Sequence, residues 1–202
     1  MAKIGLSYPL FAKYVNTAGT VTYSDGQLLG HAIEIDISAE TSEDNNLYGD
    51  NMIVESDAGT FNSGTLTFTT SELTPEMSAW LLGAKEVERT VGSATVSEVV
   101  FDDDLAPVYV GFGGIIKHKI NGAIKWQPIV LCKIQPRIPD DAATTQEDEI
   151  EWQTHEIEFG IFRSDEVVSG GVNHPWKIMP KAMYNTEADA QAYLNAVLNY
   201  TP

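Results

Sequence analysis

The chain has 202 residues, 43% of them hydrophobic, with 29 acidic against 12 basic side chains and a formal net charge of −17. That length buries a substantial core in one domain. The charge repels nucleic-acid phosphate at long range, which excludes a conventional DNA-binding protein. A single cysteine, Cys132, excludes an internal disulfide and suits a reducing cytosol. The start, Met1-Ala2-Lys3-Ile4-Gly5, has no apolar h-region, so no signal peptide is expected. No run of about 18 apolar residues predicts a membrane span.

From Gly5 to Tyr14, Pro9 interrupts Leu6, Tyr8, Leu10 and Phe11, and the segment reads as an extended arm too apolar to float free. Residues 27–40 read as one strand. Its core is the unbroken alternation Ile33-Glu34-Ile35-Asp36-Ile37-Ser38-Ala39-Glu40, greasy on one face and acidic on the other. An antiparallel sheet with one face on a core and one in water produces this pattern. The polar stretch Thr41 to Asn51, with Glu43, Asp44 and the apolar pair Leu47-Tyr48, reads as a long loop, a length that tends to be functional.

Met52 to Glu55 predicts a short strand, Asn62-Ser63-Gly64 a turn, and Thr65 to Thr69 an alternating β-branched strand. Thr74-Pro75-Glu76 opens a short helix with Thr as N-cap and Pro in the first turn. Met77, Trp80 and Leu81 share a face, and Gly83 is the stop. Asp102-Asp103-Asp104 breaks the chain before Val108 to Phe112. Asn121-Gly122 between Lys119 and Trp126 is a type I′ hairpin turn, the strongest local signal present. Ile129 to Ile134 predicts a buried strand and Pro136 to Glu149 an acidic loop. Glu151 to Phe162 predicts a strand with Ile157, Phe159 and Ile161 on one face and Glu156 and Glu158 on the other. Thr186 and Asp189 cap a final helix over 186–199, in which Ala190, Leu194, Val197 and Leu198 keep helical spacing.

The motifs of catalysis fail on inspection. His155-Glu156 begins like a zinc-protease helix, but Phe159 stands where the second histidine belongs and the segment alternates as a strand. Gly111-Phe112-Gly113-Gly114 lacks the spacing and the Lys-Ser/Thr pair of a phosphate loop, and reads as glycines that let a strand bend or a neighbour approach. Asp102-Asp103-Asp104, Asp140-Asp141 and Glu147-Asp148-Glu149 lack calcium-loop spacing and read as solvated loops. No catalytic residue, metal or cofactor is expected. Lys117, Lys119 and Lys125 make the Asn121-Gly122 hairpin locally positive. Two readings stay open: lysines that guard an edge, or an ionic contact with an acidic neighbour subunit.

The chain resembles the major tail proteins, or tail-tube proteins, of long-tailed bacteriophages with non-contractile tails, above all those of phages of Gram-positive bacteria. The likeness runs from Ile4 to Phe162 and rests on an ordered set of segments. These are Lys3-Ile4-Gly5-Leu6 with Phe11-Ala12-Lys13-Tyr14; Glu43 with Leu47-Tyr48-Gly49-Asp50-Asn51 and Glu55; Gly64-Thr65-Leu66-Thr67; and Glu72-Leu73 with Leu81-Leu82-Gly83. Pro107 to Phe112 with Asn121-Gly122, and Thr145 with Glu151-Trp152-Gln153-Thr154, complete it. Residues after Gly170 match least.

The resemblance implies a sandwich- or barrel-like tail-tube fold with a short flanking helix; with the C-terminal helix read from the residues, the expectation is one mainly β tail-tube domain over residues 1–202. It implies hexameric rings stacked into a tube within the virion, made in host cytoplasm. Its partners would be further copies, the tape measure, terminator and distal tail proteins, with double-stranded DNA passing without specific binding and no membrane involved. It implies no enzymatic activity. Six copies at −17 each carry −102 formal charges per ring, and a wall that repels phosphate lets DNA slide, where lysine contacts would hold it. Glu34, Asp36, Glu40, Glu156 and Glu158 are the candidates to line the channel. Contacts between rings are assigned to the arm, with Leu6, Tyr8, Leu10 and Phe11, and to the loop, with Leu47 and Tyr48. Alternatives are a tube subunit of a contractile injection system with a sheath partner, or a carbohydrate-binding β-sandwich using Trp126, Trp152 and Trp176.

Overall fold

The computed structural model describes residues 2–140, 145, 152–168 and 171–202. Asp141, Glu147-Asp148-Glu149 and Glu151, named above, lie outside them. The described chain is mainly β, with a large antiparallel sheet and two helices in a sandwich-like arrangement. The strands are β1 (Ala2–Thr17), β2 (Thr20–Leu28), β3 (Ala32–Thr41), β4 (Asn45–Gly49), β5 (Met52–Asp57) and β6 (Phe61–Thr70). After helix α1 (Pro75–Leu82) come β7 (Lys85–Val91), β8 (Ala94–Val100), β9 (Val110–Ile120), β10 (Ala123–Pro136) and β11 (His155–Phe162). Three two-residue strands, β12 (Val167–Val168), β13 (Val172–Asn173) and β14 (Lys177–Ile178), precede helix α2 (Glu187–Val197).

The main sheet runs β2-β1-β9-β10-β11-β6-β3, with β14 added to β10. It curls until β3, at one end, touches β1, next to the other end. The segment expected to be an arm is therefore a correction: residues 2–17 form a long strand inside the sheet, between β2 and β9. Pro9 hid this strand in the sequence. It sits in a bulge between Ser7 and Leu10, where Tyr8 takes φ 59°. A bulge is where a residue without an N–H is tolerated.

The strand expected over residues 27–40 is two strands. Gly30, at φ 55°, breaks it, and a Cβ there would meet Thr70 Oγ1 at 2.5 Å. Asn62-Ser63-Gly64, expected as a turn, continues β6. The long loop of residues 41–51 is also a correction. Asn45–Gly49 pairs with Met52–Asp57 as a hairpin, whose turn residues Asp50 and Asn51 both have positive φ, 50° and 64°. That is type I′ geometry written without the usual Asn-Gly.

One face of the curled sheet encloses the main core. Phe11 sits at its centre, with ring centroids 5.4 Å from Phe68, 4.9 Å from Phe112 and 5.4 Å from Phe159. Leu66, Leu131, Ile134, Ile157 and Ile161 surround them, and Leu81 and Leu82 of α1 close the end. Each such burial is worth about 1.5–3 kcal/mol. The α1 boundaries follow the sequence: Thr74 accepts from Met77 N, Pro75 opens the helix, and Gly83 ends it in the left-handed region.

A second, smaller core lies on the opposite face of β1, β9 and β10, where α2 lays Ala190, Leu194 and Leu198 against Leu10, Ala12, Ile115 and Val130. The glycine run of β9 makes room for it. A Cβ on Gly113 would stand 2.9 Å from a methyl of Leu198 and 3.1 Å from one of Leu194. Of the two expected readings, a bend or the approach of a neighbour, Gly113 shows the second with α2 as the neighbour, and Gly111 shows it with Tyr23 of β2, whose ring a Cβ would meet at 2.4 Å.

Candidate functional site

The five candidate channel acids come together on one face. In the paired register, Glu34 and Glu156 flank Thr69, and Asp36 and Glu158 flank Thr67. Glu40 stands opposite Ser63, whose hydroxyl donates to Glu40 Oε2 at 2.9 Å. Their chain neighbours Ile35, Ile37, Ile157, Phe159 and Ile161 point the other way, into or against the main core. The alternation legible in β3 and β11 is thus a property of a three-strand surface, with β6 supplying a middle column of Thr65, Thr67 and Thr69. Strands stand about 4.8 Å apart, so the threonines hold facing carboxylates about 10 Å from each other. Like charges directly opposite would destabilise the pairing, and the threonine column prevents it.

None of the five acids is buried. Glu158 shares its charge with Arg137, whose Nη1 lies 2.5 Å from Oε1, an exposed pair of small energetic value. The face is open and hydrated.

The assembly candidates divide. Leu10 and Phe11 are 0% exposed, locked between the two cores. They are a correction: pairing of β1 within its own sheet and packing on both of its faces bury them in the chain's own cores. Leu6 and Tyr8 are half-buried, and the Tyr8 hydroxyl donates to Asn195 Oδ1 of α2 at 2.9 Å. Leu47 and Tyr48, by contrast, are 61% and 67% exposed, as are Met52, Ile53 and Val54 on the returning strand at similar levels. The substantial contacts of β4 and β5 are with each other.

Sequence reasoning missed a second hairpin of the same kind. Strands β7 and β8 pair through Gly92-Ser93 and leave Val87, Val91 and Val96 exposed on one face, around the ion pair of Arg89 Nε with Glu98 at 2.7 Å. The signal was present in the alternation of Val87, Arg89 and Val91, but charged residues between the valines hid it.

The remaining candidates are occupied or scattered. Trp176 stacks on Phe61 at 4.4 Å, and Trp126 carries Lys117 over its ring and pairs its backbone with Tyr184. Trp152 is 89% exposed. Among the described residues no three His, Cys, Asp or Glu gather as metal ligands. His155 and Glu156 lie on a strand, as the alternation requires.

Cys132 and Asp165 are two of the groups with perturbed ionisation. Burial, with a smaller contribution from the charge of Glu166, pushes the Cys132 thiol up to about 12. Asp165 is held below the usual carboxylate range, first by the ammonium of Lys133, 2.7 Å away, and then by the hydroxyl of Tyr14. The Lys133 ammonium also lies over the rings of Tyr14 and Tyr109. This cluster ties residues 163–166 to β1 and β10. No protein-family model matches the chain, and no curated protein matches it.

Proposed function

We propose that this chain is a structural subunit of a bacteriophage tail tube, built to assemble with copies of itself into stacked rings around a channel for DNA. The observation that carries the reading is the pair of uncovered hairpins, β4–β5 and β7–β8. A two-stranded hairpin without a core is marginal in water, and exposed apolar side chains grouped on projecting arms mark interaction surfaces. Leu47, Tyr48, Met52, Ile53, Val54, Val87, Val91 and Val96 are such side chains. Partner subunits that cover them would supply the missing burial.

The acid–threonine face of β3, β6 and β11 supports the same reading. An open anionic wall repels the phosphate backbone, and its one described ion pair, Arg137 with Glu158, leaves the acids in excess. In this proposal Glu34, Asp36, Glu40, Glu156 and Glu158 face the channel, the hairpins reach neighbouring subunits, and the chain performs no catalysis. The test is electron microscopy of the purified full chain over a concentration series. Rings or hollow tubes with these five carboxylates on the inner wall are the expected result. Dispersed monomers at every concentration, or tubes with the five acids on the outside, would overturn it.

A further inference from the structure

The charge of this chain is strongly segregated. Residues 32–84 contain ten Asp or Glu and no Lys or Arg, whereas residues 105–139 contain five Lys or Arg and no Asp or Glu. The fold keeps the two blocks apart. The first supplies β3 to β6 and α1, the second β9 and β10, and β11 stands between β10 and β6.

Each block ends in a projecting feature. On the acidic side this is the β4–β5 hairpin. Glu43 and Asp44 sit at its root, Asp50 at its turn, and Glu55 and Asp57 on its returning strand, all exposed. On the basic side it is the β9–β10 turn with the start of β1 beside it, carrying Lys3, Lys117, Lys119 and Lys125. None of these four lysines has a carboxylate partner among the described residues. Lys117 lies over the Trp126 ring at 6.0 Å, and Lys125 donates to the side-chain oxygen of Asn185. Glu187, at the start of α2, already accepts from Ser7. In the paired register His118 shares a face with Lys3 and Lys125, and Trp126 shares the other with Lys117 and Lys119; both ring nitrogens of the buried His118, and Trp126 Nε1, have no hydrogen-bond partner among the described residues. Among the described residues, the buried side-chain polar atoms without a partner all lie at this end.

Strands alternate in direction along the all-antiparallel path, so β3 and β9 run the same way. The acidic hairpin follows β3 and the lysine tip follows β9, so both leave the sheet at the same end. A contact between them sets copies side by side.

We propose that the β4–β5 hairpin of one copy docks on the Lys3–Lys117–Lys119–Lys125 end of its neighbour, a charge-complementary heterologous contact that repeats around a ring. This rests on the assembly reading above and names the surface that each copy presents to the next. It gives the lysines their role as partners of an acidic neighbour.

The test uses the full chain and two reversals at exposed positions, Lys3→Glu/Lys119→Glu and Asp50→Lys/Glu55→Lys, each checked for folding by circular dichroism. Either variant alone faces its neighbour with like charge, and its half-assembly concentration rises by about tenfold or more. An equimolar mixture of the two variants restores assembly, because every hairpin then finds a complementary end in an alternating ring. Variants that assemble like the wild type, or a mixture that does not restore assembly, overturn this contact while tubes of the wild type leave the assembly reading standing. A wild type that never assembles overturns both.

Discussion

The two halves of the main sheet meet the world differently. Over β1, β9 and β10 both faces are covered, by the phenylalanine core on one side and by α2 on the other. Over β3, β6 and β11 only the inner face is covered, and the outer face presents acids on either side of a threonine column. The side chains follow. Where a helix comes down, β9 gives up side chains and leaves Gly111 and Gly113; where water meets the sheet, β3 and β11 carry charge. A sheet's outer face is thus written by its contact, and the same curled sheet serves as an interior on one side and a surface on the other.

That contrast yields a graded set of expectations. In the covered half, Cys132 with its thiol pushed up to about 12 carries very little thiolate at pH 8. Iodoacetamide should label the folded chain at least about a hundredfold more slowly than the urea-unfolded chain, and equal rates would show the covered half to be open. Leu194→Ala, which hollows the α2 contact, should cost about 2–5 kcal/mol in urea unfolding. Gly111→Val places a Cβ 2.4 Å from the Tyr23 ring and 3.0 Å from Leu198, and overpacking there should cost about 1–3 kcal/mol.

Asp165 gives a smaller, pH-dependent signal. Its folded pKa lies below the unfolded value because of Lys133 and Tyr14. Its contribution is therefore present above about pH 4 and is lost as pH falls further. Asp165→Asn should lower the neutral plateau by that contribution and flatten the acid limb, so that the variant and wild-type profiles converge at low pH. Least of all, Glu34→Gln/Glu156→Gln on the bare face should move stability by no more than about 0.5 kcal/mol. A loss as large as that of Leu194→Ala would abolish the distinction between the halves.

Much of the bare half was legible because nothing but water and one core acts on it. The alternation of Ile33 to Glu40 and of His155 to Phe162 records two environments, and the structure puts all five candidate acids on one face. The Asn121-Gly122 turn was legible for a local reason, since it demands positive φ at both residues, 48° and 84°. The covered half was harder. Both faces of β1 are apolar around Leu10 and Phe11, so no period of two survives, and the bulge at Tyr8 and Pro9 shifts the register as well. The hairpins were obscured for the opposite reason. Charged and polar residues interrupt their apolar ones, and β4–β5 reads as a polar loop until the turn conformations of Asp50 and Asn51 are seen.

The pairing of β1 with β9 has a consequence for how the chain comes to exist. Ala12 meets Gly111 and Leu10 meets Gly113 across about a hundred residues of sequence. At a synthesis rate of about 5–20 residues per second, β1 leaves the ribosome several seconds or more before its partner exists. During that interval a sixteen-residue strand with Leu10, Phe11 and Ala12 at its centre has one unpaired edge and no helix above it. The nascent chain is a natural chaperone client for that time, and its folding is governed by long-range closure, which is intrinsically slow.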